Sequence, residues 1–347
     1  MRAAVLTSYN HLEWLEVKTP EIKANEVLVK VGNVSICGSD QHIFDGSFHP
    51  RTRLPLIQGH EFSGTIVEVG KEIRNFRTGD RVAIDPLQAC GKCAACKRNH
   101  LAACTSIKLT GVDMDGGFGE YVKVEEHQLF RLPDHVSFAH GSLAEVYGVA
   151  FHACSRAQIK PGDSVVIWGT GKVGHCILQA ARTITDAPIY MVDIMESRLK
   201  IARDNFDDVI TISPEIDDPV AFIKDATNGG ADVAIEVVGH EHPVKGWPNP
   251  VAGCVKSVRG GANICVLGLG DDPMPVLMKD LIFGEKTIIA SRVSQGEMSE
   301  VMRQFDLGNL KPEILITKEM HASQAQAAFA LLDSEPEKQI KILLGFE

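Results

Sequence analysis

The sequence predicts an α/β protein of two domains, the first β-rich and the second a doubly wound parallel sheet. Three observations predict this. Over the first part of the chain, Gly and Pro punctuate short alternating segments every ~8–12 residues, the rhythm of a barrel or sandwich. Near Val146 the texture changes to short apolar strands alternating with helical spacing, which means a parallel sheet. A glycine-rich turn then joins one such strand to a helix. A length of 347 residues fits about two domains at ~150 residues each.

Taken in order, residues 26–31 alternate so that Val27, Val29 and Val31 face one way. Residues 62–69 repeat the style, and Gly79-Asp80-Arg81-Val82-Ala83-Ile84 is a turn feeding a strand. Residues 158–163 form a turn before a buried strand at 164–168. A helix at 174–183, a strand at 189–192 and a helix at 199–203 follow, with further strands at 209–212, 233–238 and 263–267. After about Ala290 the chain reads helix (297–306), strand (314–317), helix (323–332) and strand (341–344). There is no internal repeat and no low-complexity tract.

Lys+Arg 35 against Asp+Glu 45 gives a net charge of −10, which argues against a nucleic-acid binder needing a basic face. A hydrophobic content of 44% suffices for a core. No apolar run approaches the ~20 residues of a membrane span. The first residues enter an alternating pattern with no signal-peptide core, so a cytoplasmic protein is expected.

Gly169-Thr170-Gly171-Lys172-Val173-Gly174 is a G-x-G-x-x-G turn between a predicted strand and helix, with Asp193 about 20 residues on. The first glycine makes the turn, the second lets backbone approach a pyrophosphate, and the third allows close helix–strand packing. The helix N-terminus offers N–H groups to the phosphates. Asp193 can accept hydrogen bonds from both ribose hydroxyls and would repel a 2′-phosphate, which favours NAD over NADP. Arg198, close by on the following helix, could soften this or simply be an exposed cation.

The nine cysteines are odd in number, and four crowd together as Cys90-x2-Cys93-x2-Cys96-x7-Cys104. Such spacing suits a closed tetrahedral zinc site, structural because it leaves no position for substrate. Lys92, Lys97 and Arg98 would offset its negative charge. An iron–sulfur cluster and free core cysteines are the alternatives.

Cys37 in Ile36-Cys37-Gly38-Ser39-Asp40, and His60 and Glu61 in Gly59-His60-Glu61-Phe62-Ser63-Gly64, are unremarkable singly. With Gly79-Asp80-Arg81-Val82, the four-cysteine lobe, Asp115-Gly116-Gly117-Phe118-Gly119-Glu120-Tyr121 and the 169–174 loop, they make a specific combination. Over essentially its whole length the chain resembles the zinc-containing medium-chain alcohol/polyol dehydrogenases. The resemblance implies a GroES-like catalytic domain from residues 1–148 and 291–347, a Rossmann dinucleotide-binding domain from 149–290, and an active site in the cleft. It implies two zinc ions per chain and NAD. Cys37 and His60 would bind the catalytic zinc with Glu61, Glu145, or the two in alternation. Val146 stands where the family usually has Pro after that second Glu. Ser39 would relay the substrate proton, and His42 is either the next relay step or a packed histidine.

The implied chemistry is Lewis-acid activation of a substrate hydroxyl and hydride transfer to nicotinamide. The His60-Glu61 pair with Glu145 favours a polyol, sugar acid or threonine as substrate over a simple alcohol. The tail from Ser291-Arg292 to Thr317 resembles hexonate-linked enzymes, so the best expectation is a hexonate such as L-gulonate, L-galactonate or L-idonate oxidised to a keto acid. L-Threonine 3-dehydrogenase and sorbitol-like activity are the alternatives. Arg51 or Arg53 could hold a substrate carboxylate. A metal-lost regulator and a zinc-free reductase are disfavoured by the intact ligand set. Expected partners are a small alcohol substrate and further copies of the chain, as a homodimer or homotetramer, with no nucleic acid and no membrane. The second Gly239-His240-Glu241 and the loop 242–250 are expected to line the cleft or its mouth.

Overall fold

The computed structural model describes residues 1–239, 249–270 and 273–346. The chain divides into two compact units, Met1–Gly148 with Ser294–Glu347, and Val149–Val293. The chain rejoins the first unit at Ser294, three residues after the expected 291. The expected loop 242–250 and the Gly-His-Glu repeat fall largely on residues 240–248, outside the described residues.

The first unit is built on a seven-stranded sheet. Its order runs Leu129–Arg131, Arg81–Ile84, Glu61–Val69, Glu26–Ser35, Lys341–Gly345, Ile316–His321, with Tyr121–Glu125 also pairing to Glu26–Ser35. Val27, Val29 and Val31 are buried as their alternation requires, and Phe62, Ile66, Val82, Ile84, Ile342 and Leu344 join them in one core. Register places Glu61 opposite Ser35, and Leu343 opposite Ser35 on its other side. The tail strand and the Glu61 strand thus flank Glu26–Ser35 on opposite sides, both meeting it at Ser35. A second sheet, His11–Glu16, Arg2–Ser8 and Leu56–Ile57, packs into the same core.

The second unit holds six parallel strands in the order Val209–Ile212, Ile189–Val192, Val165–Trp168, Ala231–Glu236, Val258–Val266, Thr287–Ala290. The order reverses between Val165–Trp168 and Ala231–Glu236, and in such sheets ligands bind beyond the carboxyl ends of the strands at that point. The strand Val165–Trp168 is buried throughout, which explains its continuous apolar run.

Several elements differ from the sequence reading. Ala144–Ala157, Pro219–Ala226, Pro250–Ser257 and Met278–Ile282 are helices where none was expected. Pro219 and Pro250 stand at the first helical position, each behind an Asp or Asn cap, so these prolines start helices rather than break them. The expected strand at 314–317 is a short turn, Pro312–Ile314, followed by Ile316–His321. No helix among the described residues is long and apolar enough to cross a membrane.

Candidate active site

Cys37 leaves the Glu26–Ser35 strand and caps the helix Gly38–Asp45, its N–H donating to the Asp40 carboxylate at 2.8 Å. His60 and Glu61 open the Glu61–Val69 strand after Gly59. Gly59 has φ +94°, and a Cβ there would stand 2.5 Å from the Phe118 ring, so the turn that delivers His60 requires glycine. Cys37 Sγ, a His60 ring nitrogen and a Glu61 carboxylate oxygen all lie within 4.8 Å of one another. Asp40 Oδ1 faces His60 Nδ1 at 3.4 Å, and Ser39 Oγ lies 3.3 Å from Nε2. A carboxylate behind one ring nitrogen fixes the imidazole so that the other can meet a metal.

The electrostatics suit a cation. Burial and the Glu61 charge oppose ionisation of Cys37, but His60 and Lys341 outweigh them and lower its pKa. Burial alone would raise Glu61, yet Lys341 and His60 bring it down to about 2. Glu61 Oε1 is buried with no hydrogen-bond partner, as expected of an oxygen reserved for a metal. One thiolate, one imidazole and one carboxylate are zinc donors, so these residues fit a catalytic zinc.

Glu145, the second residue of Ala144–Ala157, lies outside that three-donor cluster but close enough to feel it. Burial pushes its carboxyl up to about 8, with Glu61 and Cys37 adding to the rise and His60 opposing it. Val146 is buried within the first turn of this helix. His42 occupies the last turn of Gly38–Asp45, where its ring stacks on Phe48 at 5.8 Å and 12°. Arg51 is engaged by Asp113 through two bonds of 3.0 and 2.7 Å, which corrects its expected availability for a substrate carboxylate. Arg53 is exposed.

Cys90, Cys93, Cys96 and Cys104 bring their sulfurs within 4.8 Å of one another. Backbone N–H groups of Cys90 and Ser106 point at Cys104 Sγ, at 3.3 and 3.4 Å. The N–H groups of Cys96 and Thr105 hold the Cys93 thiol down to about 5. Lys92, Lys97 and Arg98 are exposed around the lobe. Four thiols with amide donors aimed at sulfur fit a second, closed zinc site.

In the other unit, Gly169 (φ +103°) follows the strand Val165–Trp168, and Lys172–Arg182 is the helix it feeds. A Cβ on Gly174 would stand 2.0 Å from Gly169 O, so the third glycine is needed for close packing. Lys172 and Val173 form the helix's first turn, behind Gly171 as cap. Asp193 Oδ2 accepts from Thr170 N at 2.6 Å and Thr170 Oγ1 at 2.9 Å, and Oδ1 accepts from Met195 N at 2.8 Å. This acid therefore also holds the glycine loop, which the sequence reading missed. The Arg198 guanidinium reaches over the loop, 3.8 Å from where Gly171 would carry a Cβ.

Three other residues escaped the sequence reading. Asp40 was quoted only as part of a motif. Glu236, at the end of its strand beside the switch point, accepts from the N–H groups of Val238, Gly239 and Gly268. Lys341 is fully buried and pairs with Glu61. The available signal was a charged residue opening an otherwise apolar strand.

Comparison with known proteins places the chain. The "Alcohol dehydrogenase GroES-like domain" pattern matches residues 23–134, and the "Zinc-binding dehydrogenase" pattern matches 173–306. An L-threonine 3-dehydrogenase of Symbiobacterium thermophilum is 33% identical over 92% of this chain and 90% of that protein. The chain belongs to the zinc-containing medium-chain alcohol/polyol dehydrogenases. An L-idonate 5-dehydrogenase of Vitis vinifera is 33% identical over 74% of this chain and 70% of that enzyme. The solved structure of an alcohol dehydrogenase, RspB of E. coli CFT073 with NADH, is 28% identical, with a TM-score of 0.90 over 100% of this chain and 99% of that one. As a member of this family, the protein is an NAD-dependent zinc alcohol dehydrogenase with a GroES-like unit and a Rossmann unit. The two clusters fit the catalytic and structural zinc sites of such an enzyme, and a zinc-binding family favours zinc over the iron–sulfur alternative and free core cysteines.

Proposed function

We propose that the enzyme oxidises a secondary hydroxyl of a polyhydroxylated substrate, with a hexonate such as L-gulonate, L-galactonate or L-idonate giving a keto acid. The observation that carries this reading is that Glu61 lies inside the catalytic cluster and the buried Glu145 lies close enough for their charges to interact. A carboxylate-rich centre suits a substrate that offers neighbouring oxygens to one cation. The likeness to an idonate dehydrogenase supports the sugar-acid form of the reading. The engagement of Arg51 by Asp113 leaves Arg53 as the cation near this segment to meet a carboxylate.

Bound zinc supplies Lewis acidity toward the hydroxyl. Cys37, His60 and Glu61 hold it, with Glu145 as the alternating carboxylate. Asp40 orients His60, and Ser39 Oγ carries the substrate proton away, with His42 as the next step. The 169–174 loop takes the pyrophosphate on the N-terminus of Lys172–Arg182. Asp193 takes the ribose hydroxyls of NAD and Arg198 covers that end of the cofactor.

The test is kcat/KM with NAD for the three hexonates, sorbitol and L-threonine. A hexonate should lead. If sorbitol or threonine wins by more than about tenfold, roughly 1.4 kcal/mol of transition-state preference, the sugar-acid reading falls. L-Threonine is the second reading, favoured by the likeness to a threonine dehydrogenase.

We further infer a cytoplasmic homodimer or homotetramer. Nine unbridged cysteines suit a reducing compartment. Phe283 is 87% exposed beside Leu277, Met278 and Ile282, next to the edge strand Thr287–Ala290, an apolar face and open edge that a second copy would cover.

A further inference from the structure

Lys341 is fully buried at the start of the tail strand. Burying an ammonium is costly unless it is paired and hydrogen-bonded. Here it is: its Nζ meets Glu61 Oε2, lies 3.3 Å from Ser35 Oγ and 3.5 Å from Ile36 O. Ser35 Oγ also donates to the same Glu61 oxygen. Register explains the meeting, since Ser35 lies opposite both Glu61 and the tail strand. Glu61 thus has one oxygen tied by two donors and the other, Oε1, buried without a hydrogen-bond partner.

We propose that Lys341 is a positioning residue of the catalytic zinc centre: with Ser35 it restrains Glu61 to offering one oxygen, and it offsets that carboxylate's charge. This rests on the reading of Cys37, His60 and Glu61 as the catalytic cluster. A dication with one thiolate and one carboxylate is formally neutral. A fixed ammonium behind the carboxylate restores positive character, which is what activation of a hydroxyl needs. Without Lys341, Glu61 gives its full charge and both oxygens to the metal.

The experiment loads cobalt(II) into wild type and Lys341→Met, Lys341→Arg and Ser35→Ala, with metal stoichiometry measured in each. Visible ligand-field bands report the number of ligands at the metal. Lys341→Met should lose band intensity, as a four-ligand centre does on gaining a fifth. It should release metal to a chelator about tenfold more slowly, and lose about tenfold in kcat while KM for NAD stays within about twofold. Lys341→Arg, which keeps the charge, should retain the wild-type spectrum. Ser35→Ala should show a smaller loss of the same bands, and carries the test if Lys341→Met does not fold. An unchanged spectrum in metal-loaded Lys341→Met, or faster metal release, overturns the proposal; where only Ser35→Ala folds, its unchanged spectrum does so. Failure of wild type to take a catalytic metal overturns the underlying reading instead.

Discussion

Asp193 receives three hydrogen bonds from the Thr170 and Met195 segments, so its carboxylate shapes the glycine loop besides the ribose role proposed for it. These roles separate on substitution. Asp193→Asn should reduce the NAD-over-NADP ratio of kcat/KM at least tenfold, roughly 1.4 kcal/mol, because the charge that repels a 2′-phosphate is gone. Steady-state kinetics with both cofactors checks this. Equal losses with the two would show that the residue only holds the loop. The proposed ribose role was readable as an expectation from the acid's distance to the glycines. The loop-holding role was not, because hydrogen bonds across 23 residues depend on how the two turns meet. Lys341 was similarly opaque. Its partner lies 280 residues away and is set by strand order, which alternation along one segment does not encode.

At the scale of elements, the helix Lys172–Arg182 buries His175 completely, with neither ring nitrogen hydrogen-bonded. Burial pulls its pKa down to about 4, with the Arg198 charge adding to the fall and the Asp193 charge opposing it in part. A folded-state pKa below the unfolded value of 6.5 means the unfolded chain binds more protons between them. Stability from this site is therefore intact above about pH 6.5 and lost as pH falls toward 4. His175→Leu should keep about 2–3 kcal/mol more of its pH 7 stability at pH 4.5 than wild type, read from urea midpoints. Parallel acid profiles would refute the cost assigned to His175. The four-cysteine lobe makes a separate forecast. Cys93→Ser should lose one zinc per chain and thermal stability, while soluble enzyme keeps its affinity for NADH. A fully stable but inactive Cys93→Ser would contradict a structural role. Both features sit on elements that local pattern revealed, a strand–glycine–helix unit and a tight cysteine spacing. The unexpected helices Pro219–Ala226 and Pro250–Ser257 were hidden because their signals are caps and first-turn prolines, which also mark loops.

Across the whole molecule, a net charge of −10 and two metal clusters in one unit describe a protein whose chemistry is local and cationic in an acidic chain. The exposed face around Phe283 bears on assembly. Phe283→Asp should yield smaller particles by sedimentation with the zinc content unchanged; an unaltered sedimentation coefficient would exclude this face as the interface between copies. The division of labour between Cys37-His60-Glu61 and the four-cysteine lobe is the centre of the account, and counting zinc tests it most directly. Metal analysis of wild type and His60→Ala, with turnover and NADH binding on the same samples, should find two zinc ions per chain in wild type. His60→Ala should hold one, bind NADH and turn over no secondary alcohol. An active wild type with a single zinc, or turnover by a zinc-verified His60→Ala, would contradict it.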